Sequence, residues 1–461
     1  MNLKMERKNI WETATPELKE NIFSFSEGYK EFLNNGKTER ECVTYTVSLL
    51  RENGFVPLEE KKALVPGDRV YVVNRSKTVM AVIIGQESVC KGLQLVASHI
   101  DSPRLDLKPM PIYEDQELCL LKTHYYGGIK KYQWTCIPLS LHGVVCKTDG
   151  TTVEIVIGED DNDPIFTVTD LLPHLAREQA EKKLGQAIAG EALNILIGSI
   201  PAEGDESEKV KEAILKIIFE KYGITEADFA SAEIEAVPAF SAQDLGLDRS
   251  MVGGYGQDDR ICSYAALAAL LEMKDTPNKT AVCLLADKEE IGSAGNTGLR
   301  SRFFENCIAE ICVKSSSEPY NDLMLRNALS ASKCISADVG AAVDPTYADV
   351  SERKNAAFLN HGVFLMKYTG SGGKSGSSDA NAEFVAEVRA AFDKENVVWQ
   401  TGELGKVDIG GGGTVAQYLA ALDIDVIDCG TPILSMHAPF EVSSKADLYM
   451  TYRAYSAFYK A

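Results

Sequence analysis

Apolar and polar residues alternate at helical spacing from about residue 16 to residue 54, and this pattern ends at Asn53-Gly54. It predicts amphipathic helices near the start of the chain. Short apolar, β-branched runs follow, and they predict three strands: Arg69 to Val73, Thr78 to Ile84 and Leu93 to Ser98. The third strand leads directly into His99-Ile100-Asp101-Ser102-Pro103. Polar loops at strand ends are where α/β folds place their chemistry.

The pattern changes between about residues 105 and 245. Leu139 to Cys146 and Thr152 to Ile157 predict strands, and residues 159–164 form an acidic turn motif. Asp205 to Lys221 predicts a charged amphipathic helix. We interpret residues 105–245 as an inserted, β-rich domain.

Alternation of strands and helices returns after Gly253-Gly254. The predicted strands are Ala281 to Ala286, Cys334 to Ala337, Gly362 to Tyr368 and Asp425 to Asp428, and the predicted helices are Ile261 to Met273, Ala380 to Phe392 and Thr414 to Leu422. This order favours an α/β fold in which a mostly parallel central sheet lies between two helix layers, a three-layer sandwich. Residues 1–104 and 246–461 would form that main domain.

Charge and cysteine content narrow the function classes. The 461 residues contain 47 Lys and Arg against 67 Asp and Glu, a formal net charge of −20. Such a surface repels phosphate backbones and anionic lipids, so we expect no nucleic-acid or membrane partner. We find no signal peptide and no membrane-span-length apolar run. The 11 cysteines include no C-x-x-C pair, which indicates reduced thiols and a cytoplasmic protein.

Two of the six histidines stand in contexts that suit a metal site. His99 follows a predicted buried strand, and Asp101 two residues later could accept a hydrogen bond from its ring. His437 lies in the segment Leu434-Ser435-Met436-His437, shortly before Pro439.

Carboxylates follow predicted strands or precede a predicted helix at three further positions. They are Asp258-Asp259, Glu289-Glu290 and Asp338. Carboxylates at the ends of neighbouring buried strands would lie at one edge of the sheet and repel one another. Bound divalent cations usually neutralise such a group.

Two imidazoles and three carboxylates make a nitrogen and oxygen donor set that suits zinc, with cobalt or manganese as possible substitutes. A carboxylate shared by two ions lets a bound water ionise near neutral pH, and a further carboxylate can accept its proton. This chemistry hydrolyses an amide without a covalent nucleophile.

Five motifs occur in an order that resembles the family of aspartyl aminopeptidase and vacuolar aminopeptidase I. They are residues 96–103 (VASHIDSP), 257–260 (QDDR), 288–293 (KEEIGS), 336–338 (SAD) and 434–437 (LSMH). The resemblance covers nearly the whole chain. It implies a dinuclear zinc aminopeptidase that releases single residues from peptides with a free N-terminus.

The resemblance also implies a role for each motif residue. His99, Glu290, Asp338 and His437 would bind two zinc ions per subunit, and Asp258 would bridge them. Glu289 would be the general base, and Asp101 would orient His99. Nothing in the sequence itself selects Glu289 over Glu290 as the base.

The family's inserted domain mediates dimerisation within a tetrahedral dodecamer. One of its histidines, in a Pro-His-Leu-Ala context, reaches the active site of the neighbouring subunit. Pro173-His174-Leu175-Ala176 matches that context, so the resemblance implies a homo-oligomer in which His174 stabilises the tetrahedral intermediate in trans. Taken alone, His174 would be a helix-surface residue.

The sequence departs from the aspartyl branch after Asp338, where that branch carries histidines. Here Asp344 stands in a segment without histidine, residues 339–345. A carboxylate at that place would disfavour acidic N-terminal residues, so we expect a preference for neutral or basic residues. Alternatively, Asp344 caps a turn before Pro345.

Two short glycine-rich segments complete the candidate substrate site. Residues 408–414 lack the lysine of a phosphate-binding loop, and the family suggests that they line one wall of the substrate site. Lys374, within residues 370–378, could also reach the substrate, although a flexible surface loop is the alternative. Two other functions stay open: a deacylase or carboxypeptidase with the same dinuclear centre, and an inactive assembly particle.

Overall fold

The computed structural model describes residues 3–204 and 207–461. The chain divides into two compact units. The first comprises residues 1–101, 242–436 and 440–461, and the second comprises residues 102–241 and 437–439. No helix in the described ranges is both long enough and apolar enough to cross a membrane.

The helices follow the capping and periodicity signals of the sequence. Thr15 and Thr38 cap α2 and α3 with their side chains, and Glu41 completes a capping box at α3. The helices are α1 (Ile10–Thr13), α2 (Pro16–Asn35), α3 (Glu39–Glu52), α4 (Arg177–Ala180), α5 (Leu184–Ala187), α6 (Lys209–Tyr222), α7 (Gln257–Leu271), α8 (Phe303–Ser315), α9 (Asp322–Ser330), α10 (Ala382–Lys394), α11 (Ala416–Ala420) and α12 (Lys445–Tyr459).

The strands form three sheets. They are β1 (Val56–Pro57), β2 (Arg69–Asn74), β3 (Thr78–Ile83), β4 (Leu93–His99), β5 (Arg104–Asp115), β6 (Leu118–Tyr126), β7 (Leu139–Cys146), β8 (Thr152–Ile157), β9 (Thr167–Val168), β10 (Ile195–Gly198), β11 (Ala232–Pro238), β12 (Gln243–Leu245), β13 (Met251–Gly254), β14 (Thr280–Ala286), β15 (Lys333–Ser336), β16 (Gly340–Ala341), β17 (Val363–Met366), β18 (Trp399–Thr401), β19 (Asp425–Gly430), β20 (Pro432–Leu434) and β21 (Glu441–Ser444).

The largest sheet of the first unit has, among the described residues, nine strands in the order β1-β2-β3-β14-β4-β15-β19-β17-β18. Its central strands β14, β4, β15 and β19 are parallel neighbours. Antiparallel pairing occurs at β2–β3, β3–β14 and β19–β17. The edge pairs β1–β2 and β17–β18 are parallel as well. The sheet is therefore mixed, and the strand ends predicted to carry chemistry meet in its central parallel part.

Alternate residues of the central strands enter two different apolar clusters. On β3, Ala81 and Ile83 join a cluster that includes residues of α2, α3, α7, α10 and α12. Met80 and Val82 join a second cluster that includes residues of α8, α9 and α11. Because both faces of these strands are buried, they are apolar throughout rather than alternating.

A smaller sheet of the first unit has the order β12-β13-β21-β20-β16. The sheet of the second unit has the order β8-β7-β11-β5-β6-β10-β9. An isolated bridge joins Leu139 of β7 to Phe166, which directly precedes β9, so the two sides of this sheet approach each other.

Most predicted elements are confirmed, with shifted ends. β7 and β8 have the predicted bounds, whereas the helix predicted from Asp205 begins at Lys209; residues 205 and 206 lie outside the described residues. The helix predicted over 414–422 shortens to α11 because the chain before it is the glycine loop. The β5–β6 pair was not predicted individually, since its alternation is interrupted by Pro109 and Pro111.

Candidate metal centre

Three neighbouring parallel strands deliver the predicted metal-site residues to one edge of the large sheet. His99 is the last residue of β4 and is paired in register with Ala286, the last residue of β14. On the other side of β4, Ser336 of β15 is paired with Ala97, which places Asp338 two residues beyond that strand. The carboxyl ends of parallel strands meet at one edge, so these side chains converge.

His99, Asp258 and Asp338 form a group whose ligand atoms all lie within 4.8 Å of one another. The Nε2 atom of His99 lies 3.3 Å from Oδ1 of Asp258 and 3.8 Å from Oδ1 of Asp338. The His99 side chain is 1% exposed, and the Asp338 side chain is 13% exposed. An oxygen of Asp258 also lies within 4.8 Å of an oxygen of Glu290.

These spacings and donors fit a divalent cation. Ligands at about 2.0–2.2 Å from a tetrahedral zinc ion stand roughly 3.3–3.6 Å apart. The separation of His99 from Asp258 falls in that range, and imidazole with carboxylate is a donor set that zinc accepts. Asp258 belongs to both groups of candidate ligands, since it is near Asp338 and near Glu290.

Burial and mutual interactions shift the pKa values of the polar groups in the site. Burial raises the pKa of Glu289 to about 8, with the carboxylates of Asp338, Asp101 and Asp258 acting in the same direction and His99 opposing them. Burial alone would lower the pKa of His99, but hydrogen bonding with Asp101, Asp258 and Asp338 raises it well above its usual value. Such mutual crowding of buried charges is what bound cations relieve.

Asp101 contacts both the His99 ring and the segment that carries Glu289 and Glu290. Its main-chain oxygen lies 3.0 Å from Nδ1 of His99, so Nδ1 donates and Nε2 is directed to Asp258. Its two carboxylate oxygens accept the backbone N–H groups of Glu289 at 3.1 Å and Glu290 at 3.2 Å. The chain turns there because Lys288 has a φ of 68°, which brings both glutamates to the strand end.

Replacing Asp101 with Asn keeps the main-chain oxygen that His99 uses but weakens the carboxylate contacts to the backbone of Glu289 and Glu290. It is expected to reduce kcat/KM or zinc affinity by about 10- to 100-fold, the usual cost of losing an outer partner of a metal ligand. The new amide group would present N–H donors to one of the two backbone N–H groups. Metal analysis and initial rates check this result, with Asp349→Asn on an exposed turn as the matched control. Equal activity of both variants would contradict the role of Asp101.

Asp258 lies in the first turn of α7, where Asp258 and Asp259 have non-helical backbone angles and are joined by a cis peptide bond. Sequence reasoning missed the residue that holds this segment, Glu441. One Glu441 oxygen accepts the backbone N–H groups of Gln257 at 2.7 Å and Asp258 at 3.2 Å. No motif signals Glu441; only the pairing of β21 with β13 brings it there.

Arg260 is the last residue of the QDDR motif, residues 257–260, and the sequence alone indicates no role for it. Its side chain is 1% exposed. Its Nε donates to the Ile100 carbonyl at 3.1 Å, and its Nη2 donates to the Lys37 carbonyl at 3.0 Å. A buried guanidinium therefore connects the chain between His99 and Asp101 to the segment that precedes α3.

His437 belongs to the short stretch, residues 437–439, that groups with the second unit. Its Nδ1 lies 2.8 Å from the Gly128 carbonyl oxygen, to which it donates. Its backbone φ is 64°, an uncommon conformation for a residue with a side chain.

The remaining predicted site residues have surface positions. His174 is exposed and lies in a turn, residues 173–175, rather than on a helix. The Asp344 carboxylate accepts the Thr346 N–H at 2.8 Å, which is the turn-capping contact of the alternative interpretation. Lys374 donates to Asp379 at 2.9 Å and lies 3.8 Å from the Tyr368 ring centroid.

The fold and this cluster define a mixed α/β protein with a candidate histidine and carboxylate metal centre. Residues 32–459 match the family described as aminopeptidase I zinc metalloprotease (M18). The chain is 53% identical over 462 residues to a probable M18 family aminopeptidase 1 of Clostridium acetobutylicum, a match that covers 99% of each protein.

Solved structures agree with this match. An M18-family aminopeptidase from Thermotoga maritima has a TM-score of 0.94 at 49% identity and covers 99% of this chain and 100% of its own. Aminopeptidase I from Clostridium acetobutylicum has a TM-score of 0.93 at 49% identity, with 100% of both chains covered. The chain belongs to the M18 family of zinc metalloproteases, and it is an aminopeptidase, a hydrolase of peptides.

A more distant structure shares the fold alone. The mApe1 dodecamer of Saccharomyces cerevisiae is 18% identical, has a TM-score of 0.76, and covers 96% of this chain and 97% of its own.

Proposed function

We propose that the chain releases single N-terminal residues from peptides with two zinc ions bound per subunit. The observation that carries this proposal is the position of Asp258, which offers ligand atoms within 4.8 Å both of His99 and Asp338 and of Glu290. In the proposed arrangement Asp258 bridges the ions. His99 and Asp338 complete one ligand set, and Glu290 with His437 completes the other.

The bound ions would polarise the scissile carbonyl and lower the pKa of the attacking water, and cobalt or manganese could replace zinc. Glu289 would accept the proton of that water and deliver it to the departing amine. Two observations support this role. The Glu289 carboxylate lies 3.9 Å from His99 Nε2, beside the ligands, and its backbone is held by Asp101. Asp101 would keep His99 in the tautomer that binds through Nε2.

We expect neutral or basic N-terminal residues to be preferred over acidic ones, because Asp344 would repel an acidic side chain. The half-buried position of Asp344 and its hydrogen bond to Thr346 limit how far its carboxylate can move toward a substrate. Lys374, if it reached the substrate, would favour the opposite preference, but it is already paired with Asp379.

Initial rates on aminoacyl chromogenic substrates with Asp, Glu, Leu, Lys and Arg, and on an N-acetylated control, test function and preference together. We expect zinc-dependent cleavage of the free-amine substrates, no cleavage of the blocked control, and lower kcat/KM for Asp and Glu. The highest kcat/KM on Asp or Glu would refute the preference. Cleavage of only the blocked control would favour the deacylase, and no cleavage would favour the inactive particle.

We also propose an oligomer, a tetrahedral dodecamer, in which the second unit mediates assembly. The support is the dodecameric yeast relative and the exposed apolar side chains near residue 174, namely Leu171, Leu172 and Leu175. His174 would act on the substrate of a neighbouring subunit. In this proposal the first unit is a three-layer sandwich, and the second is an inserted oligomerisation domain. The free cysteines of the described residues support a cytoplasmic location.

A further inference from the structure

The two glycine-rich segments, residues 370–376 and 410–413, contact each other through their backbones. The Gly370 N–H donates to the Gly412 carbonyl at 2.7 Å. Gly411 has a φ of 97°, and a Cβ added there would lie 1.8 Å from the Gly370 carbonyl oxygen. No side chain fits between the segments, so they form one structure, which we call the double glycine loop.

A buried carboxylate ties the double glycine loop to the large sheet. Asp428, on β19, is 3% exposed. It accepts the hydroxyl of Thr414 at 2.6 Å, and the same hydroxyl oxygen lies 3.3 Å from the Ala416 N–H that begins α11. Thr414 directly follows Gly413, so this hydroxyl fixes the end of the glycine segment.

The tether lies next to the proposed metal ligands. Asp428 is paired in register with Ser336, two residues before Asp338. Four residues beyond Thr414, the Tyr418 hydroxyl donates to the Gly292 carbonyl at 3.1 Å, and Gly292 lies two residues after Glu290. Two contacts that follow the glycine segment therefore connect it to chain segments that carry the proposed metal-site carboxylates.

We propose that Thr414 and Asp428 are positioning residues that hold the double glycine loop where it receives the main chain of the substrate peptide. A wall of glycine backbone lets a peptide approach closely whatever its side chains are, which suits an enzyme that must accept many sequences. This inference rests on the proposed function and adds the part of the site that binds the peptide backbone.

Four variants test the inference by two independent routes. Thr414→Val removes the hydroxyl at similar volume, and Gly411→Ala displaces the loop by the clash with Gly370. Thr414→Ser keeps the hydroxyl. Gly185→Ala, outside the double glycine loop, is the matched glycine control, because a Cβ there meets nothing within 4 Å.

We expect Thr414→Val and Gly411→Ala to raise KM for a tripeptide by about 10-fold or more while kcat changes less, since a displaced wall loses substrate positioning. Zinc content and Tm should match wild type, and Thr414→Ser and Gly185→Ala should keep the wild-type KM. Unchanged KM in the first two variants would overturn the inference. Loss of zinc or unfolding of Thr414→Val would also overturn it, because the Thr414 hydroxyl would then serve the stability of the fold and not the position of the substrate.

The wild-type enzyme distinguishes this failure from failure of the proposed function. If wild type cleaves the tripeptide with zinc but the variants keep its KM, only the positioning role is lost. If wild type cleaves no free-amine peptide, the proposed function itself is wrong.

Discussion

Replacing Glu289 with Gln is expected to lower kcat by about 10²- to 10⁴-fold, the usual contribution of a general base. The amide is nearly isosteric with the carboxylate, but it cannot accept a proton at any ordinary pH. The backbone of residue 289 is held by Asp101, and that contact does not involve the side chain. The variant should therefore keep its fold and its full zinc content.

Single-turnover rates and zinc analysis of purified Glu289→Gln give the measurement. Glu290→Gln is the informative comparison, because a weakened ligand should lose zinc as well as activity. If Glu289→Gln kept near-normal kcat, or if its loss of activity followed a loss of zinc, Glu289 would not be the base.

Replacing Asp258 with Ala is expected to abolish measurable activity and to reduce bound zinc below one ion per subunit. Asp258 is the group shared between the two candidate ligand sets, so its removal weakens both at once. Losing a ligand typically costs more than the 10- to 100-fold expected for an outer partner. Metal analysis after dialysis, followed by activity with excess zinc, checks the result.

Asp322→Asn at the exposed start of α9 serves as the control for a lost surface carboxylate. Full zinc content in Asp258→Ala would contradict the bridging role. Wild type from which a chelator has removed zinc should be as inactive as Asp258→Ala. Added zinc should restore the activity of wild type but not that of the variant.

The sequence predicted the parts of the site that depend on one strand and the loop after it. His99 ends β4 and Asp338 follows β15, and parallel neighbours necessarily bring such residues to one edge. The polar residues of the site could therefore be recognised from the sequence alone, because the local sequence pattern and the direction of the strands together determine where they lie.

The residues that support the site could not be predicted in this way. Glu441 acts through the pairing of β21 with β13, and Asp428 acts through a hydroxyl that is 14 residues away in the chain. Each is an ordinary acidic residue in the sequence, and only tertiary contacts give it a partner. The large sheet also contains antiparallel neighbours, such as β2 and β3, which the predicted order of strands and helices did not specify.

The hydrogen bonds of Arg260 limit how the enzyme can be shortened. A protein engineer who deleted the helices before Gly36 to obtain a minimal peptidase would expect to remove only a covering layer. The Lys37 carbonyl that Arg260 uses would then sit at a fraying chain end, and a charge that is now almost fully buried would meet water beside His99 and Asp101. A buried charge without its partner is costly. The helices before Gly36 are thus part of the minimal enzyme.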